Sequence, residues 1–377
     1  MRHRLAAISL TLALAVSACG GMAAPASSPP ASAGGAASAQ PAGDLQAIVD
    51  GARKEGALTL TYGEGTLGGN EGAQKIGAAL NKQYGLNLNI QQTPGPSMPE
   101  MVSKVMQEYQ TSRPASTDIV VGYAETILPA VQSGLFQQVD WSAWAPNIKD
   151  PQLTASAGGA VAVQTSIAGI TVNTAKLKGA SVPSTLQDLL KPEYKGHLAS
   201  TPYAAYFDFL ATDSLWGEQK TTDYLTAFTK QVAGLIRCNE INRVASGEFD
   251  AFAIACSQSD SLIAKQKGQP IDFVVPSDAP LALFLYVGVP KNAPHPNAAK
   301  LWVNQLLSPE AQTILYDVNA ADLHVLPGSK TAGELQSLAA SGKKPVLQTV
   351  EWLQDHYLPK GPDYRVKFQK MLASAKG

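Results

Sequence analysis

Reactive and charged side chains are scarce in this chain. Three cysteines (Cys19, Cys238 and Cys256) and five histidines are scattered over 377 residues. No pair stands at metal-ligand spacing, which argues against a preformed zinc site. Charged residues make up only 16%, with 29 basic against 30 acidic. Without a basic surplus the chain has no electrostatic footprint for nucleic acid. Neither G-x-S-x-G nor H-E-x-x-H occurs, so the hydrolase elbow and the zinc-protease helix are both excluded. Beyond the first residues, no stretch is apolar for long enough to span a bilayer.

What is present is a long, moderately apolar chain, 45% hydrophobic, sufficient for two domains with real cores. Its start reads as an address, with residues 1–18 as a signal peptide. Arg2 and Arg4 precede the apolar run Leu5–Val16, which is too short to span as a finished helix. The run ends Val16-Ser17-Ala18-Cys19-Gly20. This resembles a bacterial lipobox, in which the cysteine, here Cys19, is lipidated. The alternative is an ordinary signal cut near Ala18, and either implies export. Loss of Arg2 and Arg4 leaves 27 basic against 30 acidic residues. Residues 19–44 are rich in Ala, Pro, Ser and Gly without charge before Asp44, so they read as a flexible tether. Lipid, tether and body together place the body at a membrane surface without embedding it.

The body alternates strand and helix patterns. Leu45–Glu55 is an amphipathic helix, Leu58–Tyr62 a strand, and Glu71–Tyr84 and Pro99–Tyr109 helices. Between the first strand and the next helix, Gly63-Glu64-Gly65-Thr66-Leu67-Gly68 is a formal G-x-G-x-x-G. A dinucleotide site also requires an acid at the end of the following strand. The strand Leu86–Gln91 runs into Gln92 instead. The turn remains a place where backbone N–H groups meet a helix N-terminus; the other reading is a plain tight turn. Further on, Leu283–Val289 is a buried strand. Ala298–Leu307 is an amphipathic helix with Asn297 as cap, and Ser308-Pro309 starts another helix. Predicted helices also cover Phe207–Trp216, Asp223–Val232, Val346–Asp355 and Tyr364–Ala375, with a short strand at Ile236–Cys238. Trp141 and Trp144 are read as packing over the first domain rather than stacking on a ligand.

Several stretches carry a family resemblance. Lys291–Trp302 reads K-N-A-P-H-P-N-A-A-K-L-W and Leu307–Gln312 reads L-S-P-E-A-Q. Asp188–Ala199 reads D-L-L-K-P-E-Y-K-G-H-L-A, and Val244–Glu248 reads V-A-S-G-E. These resemble elements of bacterial extracellular solute-binding proteins of the type 2 periplasmic fold, in the branch that includes iron, thiamine, polyamine and phosphonate binders. The resemblance covers roughly residues 45–329. It implies an α/β, two-lobe type 2 periplasmic-binding-protein fold, with mixed sheets joined by two crossing strands. Lobe 1 would be residues 45–165 plus 286–330, lobe 2 residues 166–285, and residues 331–377 would form C-terminal helices.

The resemblance further implies a lipid-anchored, non-enzymatic component of an ABC importer, exported to the periplasm or the outer face of the membrane. It is expected to be a monomer with no cofactor and no metal. A small polar organic solute would be held between closing lobes and passed to a permease. The implied solute-binding residues are Tyr62, Glu64, Gly65, Thr66, Gly122, Tyr123, Ser166, Thr201, Tyr203, Tyr206, Ser257 and Asp260. The tyrosines suit an amine or a flat ring, and Asp260 suits a cationic group or serves as a helix cap. Ferric binders of the branch carry an arginine near Gln164–Ser166 and a tyrosine pair near Ala255–Asp260. Both are missing here, which counts against iron. Iron binding and a sensor lipoprotein without a transporter are the alternatives. Cys238 and Cys256 are expected on adjacent strands as a disulfide, the alternative being two buried thiols.

Overall fold

A computed structural model describes residues 45–255 and 257–375 of the protein, apart from the side chain of Ala255. The elements run, in order, α1 (Leu45–Glu55), β1 (Ala57–Tyr62), α2 (Gly69–Tyr84), β2 (Asn89–Pro94), α3 (Met98–Gln110), β3 (Val120–Tyr123), α4 (Ala124–Gln132) and α5 (Trp141–Trp144). The middle of the chain carries β4 (Thr154–Ala155), β5 (Ala160–Asn173), β6 (Leu198–Ser200), α6 (Phe207–Leu210), α7 (Glu218–Phe228), β7 (Val232–Leu235), α8 (Asn242–Ala245), β8 (Ala251–Ala255), α9 (Gln258–Gln266) and β9 (Ile271–Val274). The last third holds β10 (Leu281–Gly288), α10 (Pro296–Leu306), α11 (Pro309–Asn319), α12 (Lys330–Ala340), β11 (Val346–Gln348), α13 (Val350–Trp352) and α14 (Gly361–Ala373).

β5 organises the whole. All 14 of its residues are buried, as a strand covered on both faces must be, and its sequence AVAVQTSIAGITVN is correspondingly poor in charge. Its first part, to Ala168, pairs antiparallel with β10 and β4. From Gly169 onward it pairs with β8 and β9. β10 carries β3 and β11 on the first side. β6 lies between β8 and β7, parallel to both. One strand therefore serves two sheet regions, and the chain returns from the second to the first through residues 275–280, between β9 and β10. Pro276 and Pro280 in that return carry no backbone N–H. The parallel pair β1–β2 is joined to the start of β3 by Asp118, whose backbone N–H donates to Thr59 O while its carboxylate accepts from Thr59 N.

Several local expectations fail for identifiable reasons. α6 stops at Leu210 because the Thr212 hydroxyl bonds the Phe209 carbonyl and the Trp216 and Gly217 N–H groups fold back onto Leu210 O. The strand expected at Ile236–Cys238 lies earlier, at Val232–Leu235. The helix expected over Val346–Asp355 begins as β11, because Val346–Gln348 finds ladder partners in Leu281–Leu283. Asn297 is not the cap of α10. That helix begins at Pro296, and the Glu55 carboxylate accepts from the N–H groups of Asn297 and Ala298 at 3.1 and 2.8 Å. Ser308 does cap α11, accepting from Ala311 N at 3.1 Å. Trp141 and Trp144 are both buried in the main core, their rings 5.5 Å apart.

Candidate functional site

The candidate site is built from strand ends and the turns that follow them. Tyr123 ends β3, Ser166 lies in the middle of β5, Tyr203 and Tyr206 occupy the loop between β6 and α6, and Asp260 is in the first turn of α9. The Tyr123 hydroxyl meets Ser166 Oγ at 3.1 Å. The Tyr123 and Tyr206 rings meet edge to face, 6.4 Å between centroids, and Tyr206 stacks on Phe209 at 5.6 Å. Such pairs add modestly to the area they bury. Tyr206 takes a left-handed backbone, φ 68°, after Ala205 at φ 40°. Two consecutive non-glycine residues in that region are costly; here they turn the loop so that the Tyr206 ring reaches Tyr123. Thr201 braces the same loop by donating to Tyr203 O at 2.7 Å. The Tyr203 hydroxyl stands 2.8 Å from Cys238 Sγ.

Asp260 differs from every other carboxylate near this wall. It is half-buried, and burial pushes its carboxyl up to about 6. Among the described residues it has no hydrogen bond and no ion pair. Its charge acts on Tyr123 and Tyr203. Burial pushes the Tyr123 hydroxyl up to about 12; Ser166 opposes that, while Glu125 and Asp260 add to it. The turn after β1 approaches from the other side, where a Cβ built at Gly65 would stand 3.7 Å from Asp260 Oδ1. The arrangement is a half-buried carboxylate, without a charged partner among the described residues, whose field reaches Tyr123 and Tyr203, a setting suited to a cation.

The remaining sequence candidates lie elsewhere or act indirectly. Tyr62 is fully buried in the core, its hydroxyl without a partner among the described residues. Glu64 is exposed and Thr66 is buried within the turn, its carbonyl accepting from Gly69 N. Gly122 is buried in β3, where a Cβ would meet Thr126 at 3.2 Å. Ser257 caps α9, accepting from Ser259 N at 3.3 Å. Cys19 and Cys256 fall outside the described residues. Cys238 follows the end of β7, and β6 separates β7 from β8, so the two cysteines do not follow adjacent strands. No cluster of three His, Cys, Asp or Glu suited to a metal ion occurs among the described residues, and no described helix is long and apolar enough to cross a membrane.

The sequence reading missed a charged group behind the wall. Glu125, one residue past the first helical position of α4, and Asp208, in α6, share Arg365 of α14. Nothing near Arg365 in sequence signals this, since its partner Asp208 is 157 positions away. Two open grooves also lie outside the tyrosine wall. One of about 640 Å³ is lined by Gln258, Phe273, Tyr316, Lys330 and Glu334 among others. One of about 750 Å³ is lined by Trp216, Lys220 and Tyr224.

Comparison with known proteins agrees with this architecture. Residues 116–338, more than half of the chain, match the family described as bacterial extracellular solute-binding protein. The spermidine/putrescine-binding periplasmic protein of Escherichia coli is 31% identical over 143 residues, covering 34% of this chain and 40% of that protein. The chain thus spans less than half the length of the curated relatives it matches. Among solved structures, iron-bound HitA of Pseudomonas aeruginosa aligns with a TM-score of 0.63 at 17% identity, covering 84% of this chain and 99% of that one. AfuA of Actinobacillus pleuropneumoniae, with fructose-6-phosphate bound, aligns with a TM-score of 0.59 at 22% identity, covering 84% and 94%. Identities this low show the fold alone, which is the α/β, two-lobe fold of periplasmic binding proteins with mixed sheets. The chain belongs to the bacterial extracellular solute-binding proteins.

Proposed function

We propose that this protein is the solute-capturing component of an ABC importer and that its solute is a small organic cation, held between two lobes and handed to a membrane permease. The observation that carries the choice of cation is Asp260. A carboxyl half-buried without a counter-charge among the described residues weakens the folded state unless a cation joins it. Tyr123, Tyr203 and Tyr206 supply faces and hydroxyls of the kind that surround amines. The partial likeness to a spermidine/putrescine-binding protein points the same way. In this reading the lobes are divided near Ala168 and Gly169, where β5 changes partners. Binding rather than catalysis is the role, and the protein acts as a monomer, lipidated at Cys19 after removal of residues 1–18. Cys238 and Cys256 form a disulfide. Because β6 runs parallel to both β7 and β8, the segments after those two strands leave the sheet on the same side, which supports that pairing.

Thermal unfolding at pH 8 with putrescine, spermidine, thiamine, a neutral sugar and a ferric salt tests this. A ligand that binds only the folded form adds about 2.7 kcal/mol of stability at a hundredfold excess over its dissociation constant. The expected result is a rise with one or more of the amines and none with the sugar or iron. A rise confined to ferric salt or to the sugar would overturn the cation reading while leaving the family standing.

A further inference from the structure

The last thirty described residues form a strap that begins on one half of the molecule and ends on the other. β11 extends the first sheet beside β10, and α13 packs against α4. Trp352 and Tyr357 then meet the Phe209 ring of α6 at 5.9 and 5.1 Å, and α14 lies on α6 and α7. Arg365 of α14 donates through Nε to Asp208 Oδ2 at 2.7 Å, and a terminal guanidinium nitrogen lies 3.9 Å from Glu125 Oε1. Tyr357 donates to the same Asp208 oxygen at 2.7 Å.

The position of the two carboxylates matters. Glu125 stands two residues after Tyr123, and Asp208 two residues after Tyr206. One guanidinium therefore ties together the two helices whose preceding residues form the edge-to-face pair of the candidate site. Asp208 is fully buried and the Glu125 side chain is 9% exposed. Each keeps one oxygen, Asp208 Oδ1 and Glu125 Oε2, without a partner among the described residues. A single cation, itself 34% exposed, shared by two buried carboxylates cannot be lost without leaving both without a counter-charge. The two contacts are also unequal. The bond to Asp208 is short and within the strap's own half, whereas the approach to Glu125 is at ion-pair distance without a hydrogen bond. That second contact is the one that separation of the halves would break.

We propose that Arg365 is a positioning residue of the solute site: a latch that fastens α6 to α4, sets the Tyr123–Tyr206 pair and biases the two halves toward the closed arrangement. The proposal rests on the two-lobe capture reading but not on the identity of the solute. A latch of this kind shifts an equilibrium only by its differential strength in the two states, and the loose Glu125 contact is where that difference resides.

The test is a distance measurement in the unliganded protein, so that it succeeds or fails separately from the amine reading. Spin labels are placed at Lys104→Cys on α3 and Lys230→Cys after α7, both exposed positions. With the native latch, the distance distribution is expected to be narrow. Arg365→Gln and Glu125→Gln should each lengthen and broaden it. The double variant should add nothing further, and Arg365→Lys should restore part of the native distance. If Arg365→Gln does not fold, Glu125→Gln alone must still move the distribution. Unchanged distances in folded Glu125→Gln, or additive effects of the two substitutions, would overturn the latch. Calorimetric titration of the native protein with putrescine, run separately, addresses the solute reading.

Discussion

Asp260 links stability to binding through one proton. Its folded-state value of about 6 lies above the ordinary carboxyl value, so the folded protein holds a proton that the unfolded chain releases. Stability of the unliganded protein therefore falls as pH rises from about 4 to about 6 and then levels off. At 1.36 kcal/mol per pKa unit the penalty above that window is about 2–3 kcal/mol. Asp260→Asn should remove it, and chemical denaturation at pH 8 is expected to find the variant more stable than the parent. The same variant should lose its thermal response to amines. In the parent, putrescine affinity should weaken as pH falls through about 6, because a neutral carboxyl no longer attracts the ammonium; calorimetric titration at pH 5 and pH 8 checks the sign. Only part of this was legible in the sequence. The acid and the tyrosines could be listed, but whether Asp260 caps α9 or faces the site depends on Ser257, which takes the capping role.

Helix starts show where local reading succeeds. Ser308 and Pro309 lie within one turn of the groups they serve, and α11 begins where they predict. The start of α10 fails the same reasoning because its cap arrives from α1, 242 positions away, in the Glu55 carboxylate. Two backbone N–H groups and the Asn297 amide converge on it. Glu55→Ala should cost about 1–2 kcal/mol by urea unfolding, at the upper end of a cap deletion because the favourable anion–dipole interaction at the helix N-terminus goes with the cap. Asn297→Ala should cost less, since both backbone donors keep their acceptor. On the same helix Trp302 is fully buried, and Trp302→Ala should cost about 3–5 kcal/mol. Strands were less legible than helices. Val346–Gln348 has no strand signal of its own and becomes a strand only through the edge that β10 offers.

At the scale of the described body, two sheet regions meet along one strand. In the unlatched Arg365→Gln variant, addition of a cationic solute should reduce the radius of gyration measured by small-angle X-ray scattering, as closure of two lobes requires; an unchanged radius of that variant under saturating solute would contradict capture by closure. The family was legible because Lys291–Gln312 and Asp188–Ala199 are contiguous blocks. The strap was not, because Arg365, Tyr357 and Asp208 meet only after the chain has folded. The shared strand β5 has one more consequence. Neither sheet region owns its central strand, since residues to Ala168 serve one and residues from Gly169 serve the other. At the change of partner the backbone is tightly enclosed: a Cβ on Gly169 would stand 2.4 Å from Val274 O and 2.6 Å from the Phe273 ring. Melting either half pulls on a strand shared with the other, so the halves share one calorimetric transition, and a gene cut at this point leaves the first part of β5 in one fragment and its ladder partner β10 in the other.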